Sequence, residues 1–98
     1  MADVSWITGK KFAFTEENVD RSPDEQGVYG LVKGSNETIV YIGRGNIRER
    51  LQAHFGGDNS CITRSAPTSY YREPCSNSVA REKELLRAYA TLCNEKIG

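Results

Sequence analysis

The stretch GVYGLVKGSNETIVYIGRGNIRERLQAHF, residues 27–55, decides the fold of this 98-residue chain. It contains two runs rich in valine, isoleucine and tyrosine, residues 27–33 and 37–43, on either side of the turn-forming sequence GSN. β-Branched and aromatic residues favour strands, while glycine and asparagine favour the turn between them. The stretch therefore begins with a predicted β-hairpin.

A helix is predicted directly after the hairpin. Asn46 is a favourable N-cap residue and Gly56-Gly57 a favourable helix end, which places the helix over about residues 47–55. On the N-terminal side of the hairpin, Thr15 can cap a short helix that begins with Glu16-Glu17, because the helix dipole favours acids there.

The C-terminal half predicts one more strand and one more helix. Residues 67–72, with two adjacent tyrosines, have the composition of a third strand, and Ser76-Asn77-Ser78 offers N-caps for a helix over about residues 78–93. The residues before this strand are interpreted as a polar loop. The predicted fold is a single α/β (α+β) domain over residues 1–98. It has a central three-stranded antiparallel sheet flanked by helices, in the order (α)ββαβα.

The charge of the chain gives little support to a nucleic-acid partner. Thirteen bases balance thirteen acids, for a formal net charge of zero. Residues 27–98 carry a small excess of bases, which fits weak attraction to phosphate and fits an ordinary solvated surface equally well. No apolar run approaches the roughly 20 residues needed to span a bilayer, so no membrane partner is expected.

Three cysteines, Cys61, Cys75 and Cys93, are odd in number and far apart in the sequence. This pattern predicts free thiols in a reducing compartment, and together with the absence of a signal-peptide pattern it predicts a cytoplasmic protein. A zinc site formed by these cysteines with His54 would lack any paired C-x-x-C spacing, so it is disfavoured.

Helical periodicity separates two kinds of charged residue. In the first predicted long helix, His54 falls within the apolar stripe and Arg50 at its edge; in the last helix, Glu82 falls at the centre of the apolar stripe, while Glu84 points away. A buried carboxylate costs several kcal/mol unless it is paired, protonated or bound to a metal. Two interpretations are open: a buried Glu82–Arg50 ion pair beside an interior histidine, or a cleft in which the three groups meet a phosphate.

The hairpin brings two tyrosines to one face. Tyr29 and Tyr41 share a side if their strands pair with them directly opposite, which requires a turn with an odd number of residues, such as 34–36. Taken alone, the two tyrosines are better explained as an ordinary cross-strand aromatic pair. Glycines within the strands, Gly27, Gly30 and Gly43, favour a close approach or a bulge.

These residues together resemble the GIY-YIG nuclease superfamily. The first motif reads Gly27-Val28-Tyr29, with valine for the more usual isoleucine, and the second reads Tyr41-Ile42-Gly43. Arg50-Leu51 is followed by His54 in RERLQAHF, as in the family pattern.

The last helix carries the remaining part of the resemblance. The family's single acid corresponds to Glu82 in AREKELLRAYATLCN, and Asn94 follows twelve residues later. The resemblance covers residues 23–94. Each tripeptide is weak alone, but the ordered set with these spacings is specific.

The resemblance implies a metal-dependent DNA endonuclease that hydrolyses a phosphodiester bond by one-step attack of water. Glu82 would hold one Mg²⁺ or Mn²⁺ ion, Arg50 would neutralise the scissile phosphate, and Tyr29 would be the general base or orient the water, supported by Tyr41 and His54. The implied catalytic residues are Tyr29, Tyr41, Arg50, His54 and Glu82. The candidate substrate-binding residues are Gly43, Arg44 and Arg48.

Some relatives have a lysine at the position of Arg44, and because an arginine stays protonated, Arg44 would grip phosphate or remain a surface residue. Many relatives gain affinity from an attached DNA-binding domain, so this chain would need a homodimer, a partner protein or a special DNA structure. The alternative functions are a non-catalytic nucleic-acid-binding module that keeps the fold, and a purely structural interaction domain.

Overall fold

The sheet has its strands in the order β1-β4-β2-β3, and every neighbouring pair is antiparallel. The computed structural model describes residues 10–34 and 38–94. Its elements are β1 (Phe12–Ala13), α1 (Glu16–Asp20), β2 (Gln26–Lys33), β3 (Thr38–Asn46), α2 (Ile47–Phe55), α3 (Ser60–Ser65), β4 (Ser69–Pro74) and α4 (Ser78–Ala88). None of the helices in this described part is long and apolar enough to cross a membrane.

An α+β fold with an antiparallel sheet flanked by helices is confirmed, but the predicted number of strands is wrong. A fourth strand, β1, pairs Phe12 with Tyr70 of β4. Two residues are too few to show a period-2 pattern, so the sequence could not reveal this strand. The residues interpreted as a loop contain α3, whose N-cap Asn59 accepts hydrogen bonds from two backbone N–H groups and whose Ile62 is buried.

The helix caps were predicted better than the helix ends. Thr15 and Asn46 both accept a backbone hydrogen bond at the start of α1 and α2. Helix α4 ends at Ala88 instead of residue 93, because Tyr89 is extended and the chain then turns toward β3.

The register of the hairpin differs from the prediction. Tyr29 pairs with Gly43 and Tyr41 with Leu31, so the tyrosines are not directly opposite. The pairing shifts after Leu31, which leaves one extra residue, Val40, in β3. This extra residue changes whether the turn needs an odd or an even number of residues. An offset of two residues still keeps both tyrosines on one face, with ring centroids 6.3 Å apart. Residues 35 and 36 of the predicted turn lie outside the described residues.

Each face of the sheet carries its own apolar core. Ile47 and Leu51 of α2 pack against Tyr29 and Leu31 on one face. Leu85 of α4 packs on the opposite face against a second cluster that includes Val28, Val32, Ile39, Ile42 and Tyr71. The candidate tyrosines therefore lie under α2, and Glu82 reaches the sheet from the α4 side.

A short segment after α4 covers the outer edge of β3. The backbone N–H groups of Leu92 and Cys93 donate to the carbonyls of Ile39 and Val40, at 3.1 and 2.8 Å. The Asn94 side chain then continues the pairing, because its amide accepts from the Ile42 N–H and donates to the Ile42 carbonyl, both at 2.8 Å.

A disulfide between Cys61 of α3 and Cys93 ties this segment to the rest of the fold. The prediction of free thiols is therefore wrong for these two residues and right only for Cys75. Cys61 and Cys93 are 32 residues apart, and only the folding of α3 and residues 92–94 around β3 brings them together. The same bond removes two of the sulfur ligands that a zinc site would have needed.

Candidate active site

Tyr29 is fully buried, and its side chain leans from β2 across to β3 over Gly43. A Cβ atom at residue 43 would overlap the Tyr29 hydroxyl and would lie 2.6 Å from Cζ of Tyr29 and 2.8 Å from Cε2 of Tyr41. Glycine at this position therefore makes room for the phenol. The close approach anticipated from glycine in the strand is present here.

His54 meets Tyr29 from the last turn of α2. The Asn46 cap and the packing of Ile47 and Leu51 fix the rotation of this helix, which turns His54 inward until it is only 4% exposed. Its Nε2 atom lies 2.7 Å from the Tyr29 hydroxyl, and its ring centroid is 5.1 Å from that of Tyr41. His54 is thus part of a polar cluster within the apolar stripe.

A residue that the sequence interpretation missed, Asp58, completes the environment of His54. The Nδ1 atom of His54 lies 2.8 Å from Oδ1 of Asp58. The chain returns to His54 because α2 ends in a Schellman motif: Gly57 N–H donates to the His54 carbonyl at 3.1 Å, Asp58 N–H donates to the Ala53 carbonyl at 3.2 Å, and Gly57 has φ of 91°. The sequence HFGGD contains this signal, since glycine favours the left-handed conformation and places the acid beside the last helical turn.

Arg50 lies one turn before His54 on α2 and is exposed, and its positive charge acts on Tyr29, where it lowers the pKa of the phenol. The structure thus brings together four of the five predicted catalytic residues. The alternative in which Arg50 forms a buried ion pair with Glu82 is wrong, because Glu82 pairs with Arg44 instead.

Burial controls the protonation of this cluster. It raises the pKa of Tyr29 far above the usual range, with a further increase from Tyr41 and a smaller opposing effect of Arg50. Burial also raises the pKa of Tyr41. The positive charge of Arg50 lowers this pKa, and the negative charge of Glu82 raises it. The pKa of His54 is lowered from 6.5 by burial, against the effect of Asp58. At neutral pH both phenols are therefore protonated and the imidazole is neutral.

Glu82, the fifth predicted catalytic residue, is not part of this cluster and lies on the α4 side of the sheet. Its carboxylate Oε1 is 3.4 Å from Nε of Arg44, with 22% of the Glu82 side chain exposed. Its charge acts on Tyr41. Among residues 10–34 and 38–94, no three His, Cys, Asp or Glu side chains gather into a metal-binding group.

A single carboxylate fits Mg²⁺ when the substrate is also a ligand, because this ion binds proteins through one or two carboxylates together with phosphates and water. Glu82 is accessible and offers such a hard oxygen ligand. Arg44 would have to share the Glu82 carboxylate with the metal ion or release it.

The three candidate substrate-binding residues differ in position. Gly43 lies under the Tyr29 hydroxyl, and Arg44 adjoins Glu82 with 46% of its side chain exposed. Arg48 is not brought into the cluster: its Nε donates to the Ser22 carbonyl at 2.9 Å, and its guanidinium is 4.0 Å from Asp24. Arg48 thus joins α2 to the segment before β2.

No protein-family model, no curated protein and no solved structure matches the chain. The resemblance to GIY-YIG nucleases therefore stays a prediction from the motifs.

Proposed function

We propose that this chain is a metal-dependent DNA endonuclease of the GIY-YIG type. The observation that supports this most is the contact of a neutral imidazole with a buried phenol, His54 with the Tyr29 hydroxyl at 2.7 Å, beside the positive charge of Arg50. A purely structural domain gains little from such an arrangement, because burying polar groups costs free energy even when they are paired.

Arg50 is suited to bind the scissile phosphate. Its guanidinium is exposed on the side away from Tyr29 and always charged, so it can contact phosphate oxygens and neutralise the charge that develops on them. A phosphate held there lies next to the Tyr29 hydroxyl. Arg44, on the α4 side of the sheet with 46% of its side chain exposed, is a further cation available to the DNA backbone.

The raised pKa of Tyr29 makes a free phenolate an unsuitable base, and its contact with His54 offers a different path. Because Tyr29 is fully buried in the free protein, DNA binding would have to admit the attacking water to its hydroxyl. Tyr29 would then take a proton from this water while its own proton passes to Nε2 of His54. The resulting hydroxide forms the new bond to phosphorus, the bond from phosphorus to the 3′ oxygen breaks, and the 3′ oxygen takes up a proton from solvent. Proton transfer of this kind contributes about 10²–10⁴-fold to a rate.

Glu82 would hold one Mg²⁺ or Mn²⁺ ion, which supplies stabilisation of negative charge on the departing 3′ oxygen. The negative charge of Glu82 raises the pKa of Tyr41, and the Tyr41 ring contacts the ring of His54. Its role is to shape the site and support Tyr29.

The zero net charge predicts weak and salt-sensitive binding of DNA by the single domain. A homodimer or a partner protein would supply the missing affinity and specificity. The cytoplasmic location remains a prediction, and the Cys61–Cys93 bond removes two of the three thiols on which it rested.

A second candidate function is a nucleic-acid-binding module without catalysis. The contact that favours it is the Arg44–Glu82 pair, which occupies the carboxylate that a metal would need. Such a module would bind the phosphate backbone through Arg44 and Arg50 and would leave DNA intact.

Cleavage of supercoiled plasmid and of branched DNAs with Mg²⁺ or Mn²⁺ tests the proposal. Wild type should be compared with Glu82→Gln and with Glu84→Gln, which removes the same charge from the same helix but affects a residue paired with Arg81 at 2.6 Å. We expect metal-dependent nicking by the wild type and by Glu84→Gln, and none by a folded Glu82→Gln. Cleavage by no protein, or equal cleavage by all three, would overturn the catalytic assignment; DNA binding without cleavage would favour the module.

A further inference from the structure

Asp58, His54 and Tyr29 form a continuous line of contacts from the surface to the buried phenol. The Asp58 carboxylate is 36% exposed, whereas only 1% of the His54 side chain is exposed. The two contacts of the imidazole, 2.8 Å on Nδ1 and 2.7 Å on Nε2, use both of its nitrogen atoms. His54 therefore connects an acid to a hydroxyl and has no nitrogen left for water or DNA.

The direction of the protons in this line follows from the chemistry of the end groups. An ionised carboxylate can only accept hydrogen bonds, so Nδ1 of His54 must carry the proton that faces Asp58. A neutral imidazole has one N–H, which leaves Nε2 with a lone pair. The Tyr29 hydroxyl must then donate to Nε2, which leaves the lone pairs of its oxygen as acceptors.

We propose that Asp58 is a positioning residue that holds His54 in the Nδ1–H tautomer, so that Nε2 can receive the proton of Tyr29. This inference rests on the proposed function for its catalytic meaning, whereas the tautomer itself is a property of the resting protein. The opposite tautomer would place an N–H against the phenol and block transfer in the useful direction.

Asp58 also faces the charge that the transfer creates. Protonation turns His54 into an imidazolium, which burial and the nearby Arg50 of α2 disfavour. Asp58 opposes both effects, and the C-terminal end of α2 adds a favourable dipole. The remaining titratable groups that face His54 are the phenols of Tyr29 on β2 and Tyr41 on β3.

The backbone holds the acid in place without help from a long side chain. Gly57 and Asp58 both donate backbone hydrogen bonds into the last turn of α2, so the Asp58 carboxylate is positioned by the helix end itself. An aspartate has only two side-chain torsions to restrict, which makes this a low-entropy way to orient the imidazole.

Nuclear magnetic resonance of the imidazole nitrogens tests the proposal directly, because the chain contains a single histidine. In ¹⁵N-labelled wild type above the pKa of His54, we expect a protonated Nδ1 and an unprotonated Nε2. Asp58→Asn should weaken or reverse this preference and lower the pKa of His54 further. Glu49→Gln, the same loss of charge at an exposed position of α2, should change neither.

Single-turnover nicking separates positioning from binding. Asp58→Asn should slow cleavage at saturating protein by about 10–100-fold, a part of the usual general-base contribution, with the DNA affinity unchanged. Glu49→Gln should cleave at the wild-type rate.

An Nε2–H tautomer in the wild type would overturn the proposal without any variant, and so would an unchanged tautomer in Asp58→Asn. A wild type that has the Nδ1–H tautomer but cleaves no DNA would support the assignment of the tautomer and overturn the proposed function. The two failures are therefore distinguishable, even if Asp58→Asn does not fold.

Discussion

Two tyrosines on the same face of the sheet have the same burial and different surroundings. Tyr29 and Tyr70 are both fully buried and belong to one apolar cluster. The Tyr70 hydroxyl donates to the Asn18 carbonyl at 2.9 Å and lies 2.9 Å from Oγ of Ser22. The Tyr29 hydroxyl instead contacts an imidazole and is subject to the charge of a guanidinium.

The difference shows that the partners of a buried hydroxyl, more than its burial, indicate what it can do. The neighbours of Tyr70 neither gain nor lose a proton near neutral pH, so its hydrogen bonds can only join α1 to β4. The neighbours of Tyr29 include a base and a permanent cation, and one of them adjoins an acid. Removing each hydroxyl should therefore have similar effects on stability and different effects on chemistry.

The largest effect is expected from Tyr29→Phe. This variant removes the proton acceptor for water and should lower the rate of DNA nicking by about 10²–10⁴-fold. It also leaves Nε2 of His54 without a partner, which should lower the free energy of unfolding by about 1–3 kcal/mol. Plasmid nicking and urea unfolding measure the two effects.

Tyr70→Phe is the matched control. It should lower the free energy of unfolding by about 1 kcal/mol, the usual value for one hydrogen bond, and leave nicking unchanged. If both variants lose activity to the same extent, the contrast between the two tyrosines has no functional meaning.

A smaller effect on activity is expected from Gly43→Ala. The added methyl group would overlap the Tyr29 hydroxyl, so the phenol must move away from His54. We expect about a 10–100-fold loss of nicking, part of the general-base contribution, and a loss of about 1–3 kcal/mol in stability from overpacking. Gly56→Ala provides the comparison, because Gly56 is helical, with φ of −79°, and an added Cβ would be no closer than 3.4 Å to its neighbours. Equal activity of the two alanine variants would contradict this.

The pH dependence should follow His54. Its pKa in the folded protein is below the ordinary 6.5, so the unfolded chain takes up the proton first as the pH falls. The contribution of His54 to stability is therefore full above about pH 6.5 and decreases below it, and nicking should decrease once the folded imidazole is protonated. Urea unfolding between pH 8 and pH 5, beside an NMR titration of the one histidine, checks the sign; stability that rises on acidification through this range would show that it is wrong.

The smallest effect is expected from Ser22→Ala at the Tyr70 end. Ser22 is fully buried, and its Oγ lies 3.1 Å from the Asn18 carbonyl and 2.9 Å from the Tyr70 hydroxyl. We expect a loss of about 0.5–1.5 kcal/mol in the free energy of unfolding and no change in nicking or in the NMR signals of His54. A shifted His54 signal would mean that the two ends of the face are coupled.

The sequence was sufficient for the parts of the fold that depend on local chemistry. The caps Thr15 and Asn46 and the glycines after α2 are local signals, and they placed α1 and α2 correctly. Helical periodicity also put His54 inside, but its placement of Glu82 at the centre of the apolar stripe of α4 is wrong. Leu85 is buried there, whereas the side chains of Glu82 and Glu84 are 22% and 32% exposed.

What could not be predicted depends on contacts between distant segments. The register of Tyr29 and Tyr41 depends on the extra residue in β3, for which Val40 carries no sequence signal. The Cys61–Cys93 bond and the pairing of Glu82 with Arg44 depend on how α4 and the following segment return to β3. Asp58 could have been found from its position after two glycines, since its contact with His54 is local.

Each outer edge of the sheet has a feature that hinders pairing with a further strand. At one edge, β1 has only two residues, too short to template another chain. At the other, Leu92 and Cys93 pair with β3, and the Asn94 amide imitates a peptide group opposite Ile42. Removing that amide would expose backbone donors and acceptors beside the candidate site and favour edge-to-edge aggregation. A second subunit that extended the sheet at β3 would thus have to displace residues 92–94.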